Sequence, residues 1–203
     1  MSQGAVKSLF PEFEYLDLLW FEKWRLYGVK ILQGEYCVSD QNIVMTAVLG
    51  SCISACVYDC KNGLGGMNHF MLPNSQNNHD SSRSLRYGLF SMEQLINSLL
   101  KRGSFKEDLR FKIVGGGRML NCLTDIGQLN IAFIKNYLAE EQLKIENFDL
   151  GGGQARKLAF FPATGRLLVT LIPRIDSESF ITKESLQADV NVKKIVEHQV
   201  ELF

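Results

Sequence analysis

The reading of residues 43–73, IVMTAVLGSCISACVYDCKNGLGGMNHFMLP, decides the fold. Ile43–Leu49 and Ile53–Tyr58 are short, rich in branched apolar residues and separated by Gly50-Ser51. Runs of that length and composition predict buried strands. Lys61-Asn62-Gly63 is a turn signal, and a further apolar run follows it to Pro73. A strand that turns and comes back predicts an antiparallel pairing between the segment after Cys52 and the segment containing His69.

Upstream, Ile31–Val38 reads as another strand, ended by Ser39-Asp40-Gln41-Asn42. Phe13, Leu16, Trp20, Trp24 and Tyr27 recur at helical spacing, with acids early and bases late as the helix dipole prefers. This predicts an amphipathic N-terminal helical extension over 1–28, packed on its own domain or docking a partner, ahead of one domain spanning 29–203. Downstream, Leu85, Leu89, Met92, Ile96 and Leu99 form a helical stripe closed by Gly103. Leu109, Phe111 and Ile113 alternate with Arg110 and Lys112, a half-buried strand ending in Gly115-Gly116-Gly117. A second helix is predicted over about 126–143, capped by Thr124 or Asp125. Lys157–Phe161 and Arg166–Ile172, joined by Pro162-Ala163-Thr164-Gly165, read as a hairpin with a four-residue loop. Helices and strands mix without strict alternation, which predicts an α+β class fold, a mixed-sheet α/β sandwich in a single domain.

The 203 residues carry 22 basic and 22 acidic side chains, a formal net charge of zero, which argues against nucleic-acid binding through bulk positive potential. No apolar run reaches the roughly 18 residues of a membrane span, so membrane insertion is not expected. The N-terminal aromatic segment is too charged for a secretory signal. Five cysteines are an odd number in a chain large enough to bury a core, so reduced thiols and a cytoplasmic setting are expected.

Neither triple-glycine run, 115–117 or 151–153, matches a phosphate or dinucleotide loop, and both read as tight turns or points of close backbone approach. Cys52, Cys56 and Cys60 are spaced four apart. On a strand, neighbours in that series stand roughly 13 Å apart, too far to share one ion at a metal–sulfur distance of about 2.3 Å. No metal or cofactor is expected. Cys56 and Cys60 read as a buried small residue and a turn-flanking thiol.

Cys52 has a different setting, because it follows the Gly50-Ser51 break. Acting as a nucleophile it needs a base nearby. His79 sits in a polar segment and His198 in the tail, while His69 lies in an apolar run that an antiparallel return brings back towards Cys52. The alternative is a core histidine beside an unrelated cysteine.

Gly34-Glu35-Tyr36, Thr46-Ala47-Val48-Leu49-Gly50-Ser51-Cys52 and Gly65-Gly66-Met67-Asn68-His69-Phe70-Met71-Leu72-Pro73 together resemble the chemoreceptor glutamine deamidase family, CheD. Lys112 to Gly117, Gly127-Gln128-Leu129-Asn130, Gly151 to Arg156 and Thr164-Gly165-Arg166 are similar too, so the likeness covers about 29–172. The resemblance implies an α/β sandwich related to glutamine-deamidating toxins. It implies conversion of glutamines in methyl-accepting chemotaxis receptors to glutamates, with loss of ammonia. It also implies that Cys52 is the nucleophile, His69 the base and acid, and Thr46 the orienting hydroxyl. Unaided, Thr46 reads as a packed strand residue.

The chemistry asks for donors to an oxyanion, expected from the Cys52 amide and the Gly50-Ser51 turn, with Asn68 assisting or bracing the loop. The implied substrate is the cytoplasmic helices of a receptor. A second reading, also from the resemblance, is a regulatory module docking a CheC-type phosphatase. A papain-like protease would separate its cysteine and histidine by roughly 130–150 residues. Receptor methylester hydrolysis is chemically compatible with the same thiol.

Overall fold

The computed structural model describes residue 16 and residues 18–72, 78–119 and 125–173. Its strands are β1 (Leu18–Phe21), β2 (Leu26–Lys30), β3 (Tyr36–Ser39), β4 (Val44–Leu49), β5 (Ile53–Asp59), β6 (Gly65–Asn68), β7 (Leu109–Gly115), β8 (Ile145–Leu150), β9 (Arg156–Phe161) and β10 (Arg166–Leu171). Its helices are α1 (Asn78–Lys101) and α2 (Ile126–Glu140), with a 3-10 turn at Lys106–Asp108. The strands form two mixed five-stranded sheets, ordered β1-β2-β4-β9-β10 and β3-β6-β5-β7-β8. In the first sheet β2 and β4 run parallel, and in the second β7 and β8 do.

One apolar core joins the sheets. Met45, Ala47 and Leu49 of β4 belong to the same buried cluster as Cys37, Cys56 and Met67 of the second sheet. Strand alternation sends the intervening residues of β4 to the other face. There Val44 joins Ala159 and Phe161 in a small outer cluster, against which Phe21, Trp24 and Leu26 pack. The second sheet divides likewise. Asn68, opposite Ala55, faces α1, whereas Tyr58 and Lys112 face the β9–β10 loop, where the Lys112 ammonium donates to the Gly165 carbonyl across 2.7 Å.

Gly50-Ser51 carries the chain from β4 in one sheet to β5 in the other. The expected return follows. Asp59 accepts from the Lys61 and Asn62 amides at 2.8 and 3.1 Å and shapes the turn into β6. Burial pulls its carboxyl up, and donors led by the Lys61 amide bring it below the usual carboxylate range. The β9–β10 hairpin and the strand at 109–115 also form as expected.

Three expectations are corrected. The helix read from 13, 16, 20, 24 and 27 is, in its described part, the β1–β2 hairpin; its first residues lie outside the described ones. Tertiary packing overrides the helical spacing: Trp24 meets Phe161 edge-on at 5.7 Å, and β2 pairs with β4, where a Cβ on Gly28 would stand 2.0 Å from the Val44 carbonyl. The strand expected over 31–38 is split, its first part forming the turn between β2 and β3. In α1 the buried line runs through Gly88, Met92, Leu95 and Leu99, while Leu85 and Leu89 are exposed. Gly88 is where Phe133 of α2 sits close, and a glycine gives a periodicity reading no apolar signal. Strand β8 was not anticipated.

Candidate active site

The turn before β5 is pinned through three consecutive carbonyls. The Gly117 amide donates to Gly50 O (2.9 Å), the Asn130 carboxamide to Ser51 O (2.9 Å) and the Gly116 amide to Cys52 O (2.8 Å). Gly115, at φ +124°, lies so close that a Cβ there would be 2.1 Å from Cys52 O. Close backbone approach is thus what the first glycine run supplies. Asn130 is fully buried on α2, and its Oδ1 accepts the Leu72 amide at 2.8 Å, so one carboxamide ties the turn to the segment after His69. In a trans peptide N–H and C=O point in opposite directions. With the carbonyls turned towards the glycine loop and α2, the Ser51 and Cys52 amides point to the other side.

Register puts His69 near the thiol. Ile53 and Phe70 exchange both backbone bonds, at 2.8 and 2.9 Å, in line with the β5–β6 pairing of Cys56 with Met67. Continuing that register sets Ser54 opposite His69 and makes Cys52 the diagonal neighbour on the same face, within reach of a long side chain. The antiparallel return expected from the spacing is therefore present.

The His69 imidazole is buried, and its Nδ1 lies 3.1 Å from the Ile31 carbonyl at the end of β2. A carbonyl only accepts, so Nδ1 carries the proton and Nε2 keeps its lone pair. Nε2 is buried with no hydrogen-bond partner among the described residues. Burial, opposed by the Ile31 carbonyl and aided by Lys30, pushes the ring down to about 4, so it is neutral at physiological pH. A neutral, oriented imidazole with an open Nε2 is a proton acceptor.

Cys52 is buried and outside any disulfide. Its thiol donates to Gln33 Oε1 across 3.8 Å. The phenol of Tyr87, on α1, is pushed up to about 12, first by burial and then by the charge on Cys52, so the two lie within electrostatic reach.

Thr46 is buried on the face of β4 that carries Val44. Its hydroxyl donates to Val29 O at 3.3 Å, and its carbonyl accepts the Ile31 amide at 2.8 Å. It braces the strand whose next carbonyl holds the ring. Asn68 is fully buried with both ends engaged, Oδ1 accepting the Ala55 amide at 2.9 Å and Nδ2 donating to Ser91 of α1 at 3.2 Å. It braces β5 against the helix.

Cys56 is buried on β5, and Cys60 is exposed in the turn that follows. His79 falls in the first turn of α1 rather than in a loop, while Cys122 and His198 lie outside the described residues. The Ile31 carbonyl, Gln33 and Asn130 were not anticipated as site residues. A backbone acceptor leaves no mark in the sequence. Asn130, a polar residue next to Ile131 and Phe133 on a buried helix face, did carry a signal.

A family profile described as CheD chemotactic sensory transduction matches residues 71–171. The "Probable chemoreceptor glutamine deamidase CheD" of Methylobacillus flagellatus is 44% identical over 191 residues, covering 91% of this chain and 94% of that one. Its namesake in Halorhodospira halophila is 37% identical over 205 residues, covering 98% and 95%. The one in Caulobacter vibrioides is 45% identical over 149 residues, covering 73% and 80%. Among solved structures, the Bacillus licheniformis hypothetical protein YfiH is similar over 57% of this chain and 51% of its own, at 14% identity and a TM-score of 0.37.

Proposed function

The chain belongs to the CheD family, and from that membership we propose that it deamidates glutamine side chains of chemotaxis receptors, with Cys52 as nucleophile and His69 as base and acid. The observation that carries the assignment is the buried imidazole whose Nδ1 is committed to Ile31 O and whose Nε2 has no hydrogen-bond partner among the described residues, on the face where Cys52 stands.

His69 Nε2 takes the thiol proton, and the thiolate attacks the substrate carboxamide carbon. Negative charge develops on the carboxamide oxygen and is met by the Cys52 and Ser51 amides, which the pinned carbonyls aim together. The imidazolium returns its proton to nitrogen, and ammonia leaves. Water, activated by His69, then hydrolyses the thioester and frees the thiol. Ile31 O fixes the ring tautomer, the orienting role in a nucleophile–base–orienter arrangement. Thr46 acts one step behind it, as a positioning residue that fixes where Ile31 stands. Asn68 acts as a brace.

The substrate is a glutamine on the helical cytoplasmic part of a receptor. No helix among the described residues is long and apolar enough to cross a membrane.

The test is to incubate the purified chain with a receptor cytoplasmic fragment, follow ammonia, and map glutamine-to-glutamate conversion by mass spectrometry. Conversion in the parent and none in Cys52→Ala is the expected result. A chain that binds a CheC-type phosphatase tightly yet releases no ammonia from any receptor fragment would overturn the enzyme reading in favour of a docking module.

A further inference from the structure

Arg156 opens β9 opposite Leu49, the last residue of β4, and Gly50-Ser51 follows Leu49 directly. Its side chain is 5% exposed, and its guanidinium donates to three groups. Nε and Nη2 reach Asp149 Oδ1 at 3.1 and 3.0 Å, Nη1 reaches the Gln154 carbonyl at 3.2 Å, and Nη2 reaches the Gly151 carbonyl at 2.6 Å. A buried charge is costly unless it is paired and its donors are met. One carboxylate supplies the opposite charge, and two main-chain carbonyls of the 151–154 loop take the rest of the planar fork.

That loop leans on the glycine loop of the site. Gly151 and Gly152 take left-handed φ values of +81° and +78°, which glycine adopts without strain. The Gly151 amide donates to Gly115 O at 2.9 Å, and the Gly152 carbonyl accepts the Arg118 amide at 2.7 Å. Between those two bonds Gly117 is packed backbone on backbone, since a Cβ there would stand 2.9 Å from Gly50 O and 3.2 Å from Gln154 O. The Gly117 amide holds the Gly50 carbonyl at 2.9 Å, and the N–H of that same peptide is the Ser51 donor to the oxyanion in the deamidation. Contacts therefore run unbroken from the Arg156 guanidinium to the Ser51 amide.

We propose that Arg156 is a positioning residue for the reaction at Cys52, fixing through the two glycine loops the Ser51 amide that meets the developing negative charge. The proposal rests on the reading of Cys52 as the nucleophile. Arg156 acts through other groups and moves no proton. The imidazole is held separately, by Ile31 O, so loss of the guanidinium leaves the base in place while the oxyanion donor drifts. A donor that matters only in the transition state changes kcat and leaves KM near its parental value.

The experiment uses the full chain carrying Arg156→Lys, which keeps a charge beside Asp149 but replaces the planar fork with a point donor. Ammonia release from a receptor fragment is measured per folded molecule, next to urea unfolding. The control is Arg102→Lys, the same exchange at an arginine that holds a main-chain carbonyl, Val38 O at 3.0 Å, outside this chain of contacts. In Arg156→Lys kcat is expected to fall roughly tenfold to hundredfold with KM within about twofold. Arg102→Lys is expected to keep the parental kcat whatever stability it loses. Should Arg156→Lys not fold, Gly152→Ala takes its place with the same expectation, because it puts a side chain on a left-handed φ in the exposed part of the loop. A parental kcat in the folded variant, a rise in KM alone, or equal kcat losses in Arg156→Lys and Arg102→Lys overturns the proposal and leaves the deamidase reading standing. No ammonia from the parent on any receptor fragment sinks both.

Discussion

Cys52 and Cys56 stand four residues apart on one face of one strand run, both wholly buried and both outside any disulfide. Cys56 lies opposite Met67, with the Ser54 hydroxyl 3.8 Å from its sulfur. Burial pushes its thiol up to about 12, against smaller downward pulls from Ser54 and Lys112. Cys37, across Met67 on the other side, is also pushed up to about 12 by burial. Cys52 differs in having a neutral imidazole as its diagonal neighbour and a turn whose amides are aimed by pinned carbonyls. Burial alone silences a thiol. Burial together with a base buried beside it makes one that can react, because the thiolate and imidazolium that proton transfer creates attract one another and offset part of the cost of burying each charge.

The largest break in that comparison is on activity. Cys52→Ala or Cys52→Ser is expected to lower ammonia release from a receptor fragment on the order of 10⁴-fold or more, and His69→Ala comparably, as when one member of a catalytic unit is lost. Cys56→Ala is expected to stay within about twofold of the parent, since no step draws on it. Circular dichroism checks that each variant is folded. Cys52→Ala deamidating at the parental rate would remove the basis for distinguishing the two thiols.

Thr46 tests how the base is held. Thr46→Val deletes the hydroxyl bond to Val29 O and keeps the volume, so β2 and the Ile31 carbonyl lose a fixed point. Slight misplacement of a catalytic group costs up to roughly 100-fold. Residual activity some tenfold to hundredfold below the parent is expected, in kcat rather than KM, with Thr46→Ser recovering most of it. Unchanged kcat in Thr46→Val would show the imidazole to be held by Ile31 without help from that hydroxyl.

His69 sharpens the comparison through pH. Its folded value of about 4 lies below the ordinary 6.5 because burial disfavours the imidazolium. Between those values the unfolded chain binds a proton that the folded one refuses, so stability is full above about 6.5 and falls as pH drops towards 4. The loss is about 3 kcal/mol at the bottom of the window. Urea unfolding across that range is expected to show this slope in the parent, and His69→Gln is expected to flatten it. An equal slope in both would place the titration on other groups.

The strand, turn and return at 43–73 is legible from the chain because its strands are buried on both faces and its turn is marked by Lys61-Asn62-Gly63. That register alone puts Cys52 and His69 on one face. The group that fixes the imidazole is not legible, since it is a main-chain carbonyl at Ile31, and any residue type supplies one. Gln33 is hidden for a related reason: a turn glutamine reads as solvated until the Gly34–His69 pairing folds it inward. The N-terminal hairpin is illegible because its apolar residues satisfy a helical spacing, and only contact with Val44 and Phe161 decides between the alternatives.

The smallest effect separates packing from chemistry. Cys56 contributes a sulfur to the layer between the sheets, in line with Met67 and Cys37. Cys56→Ala removes one heavy atom from that layer, and the neighbours close only part of the gap, so a cost of about 1 kcal/mol is expected. The urea midpoint should fall with its slope unchanged, and ammonia release per folded molecule should not. If stability drops as expected and activity drops with it, the layer around Cys56 is transmitting strain along β5 to the turn at Cys52, and the two thiols are one mechanical unit. If only stability drops, the boundary between inert and reactive sulfur lies at Ile53, between Cys52 and Ser54, next to where the Cys52 carbonyl meets the glycine loop.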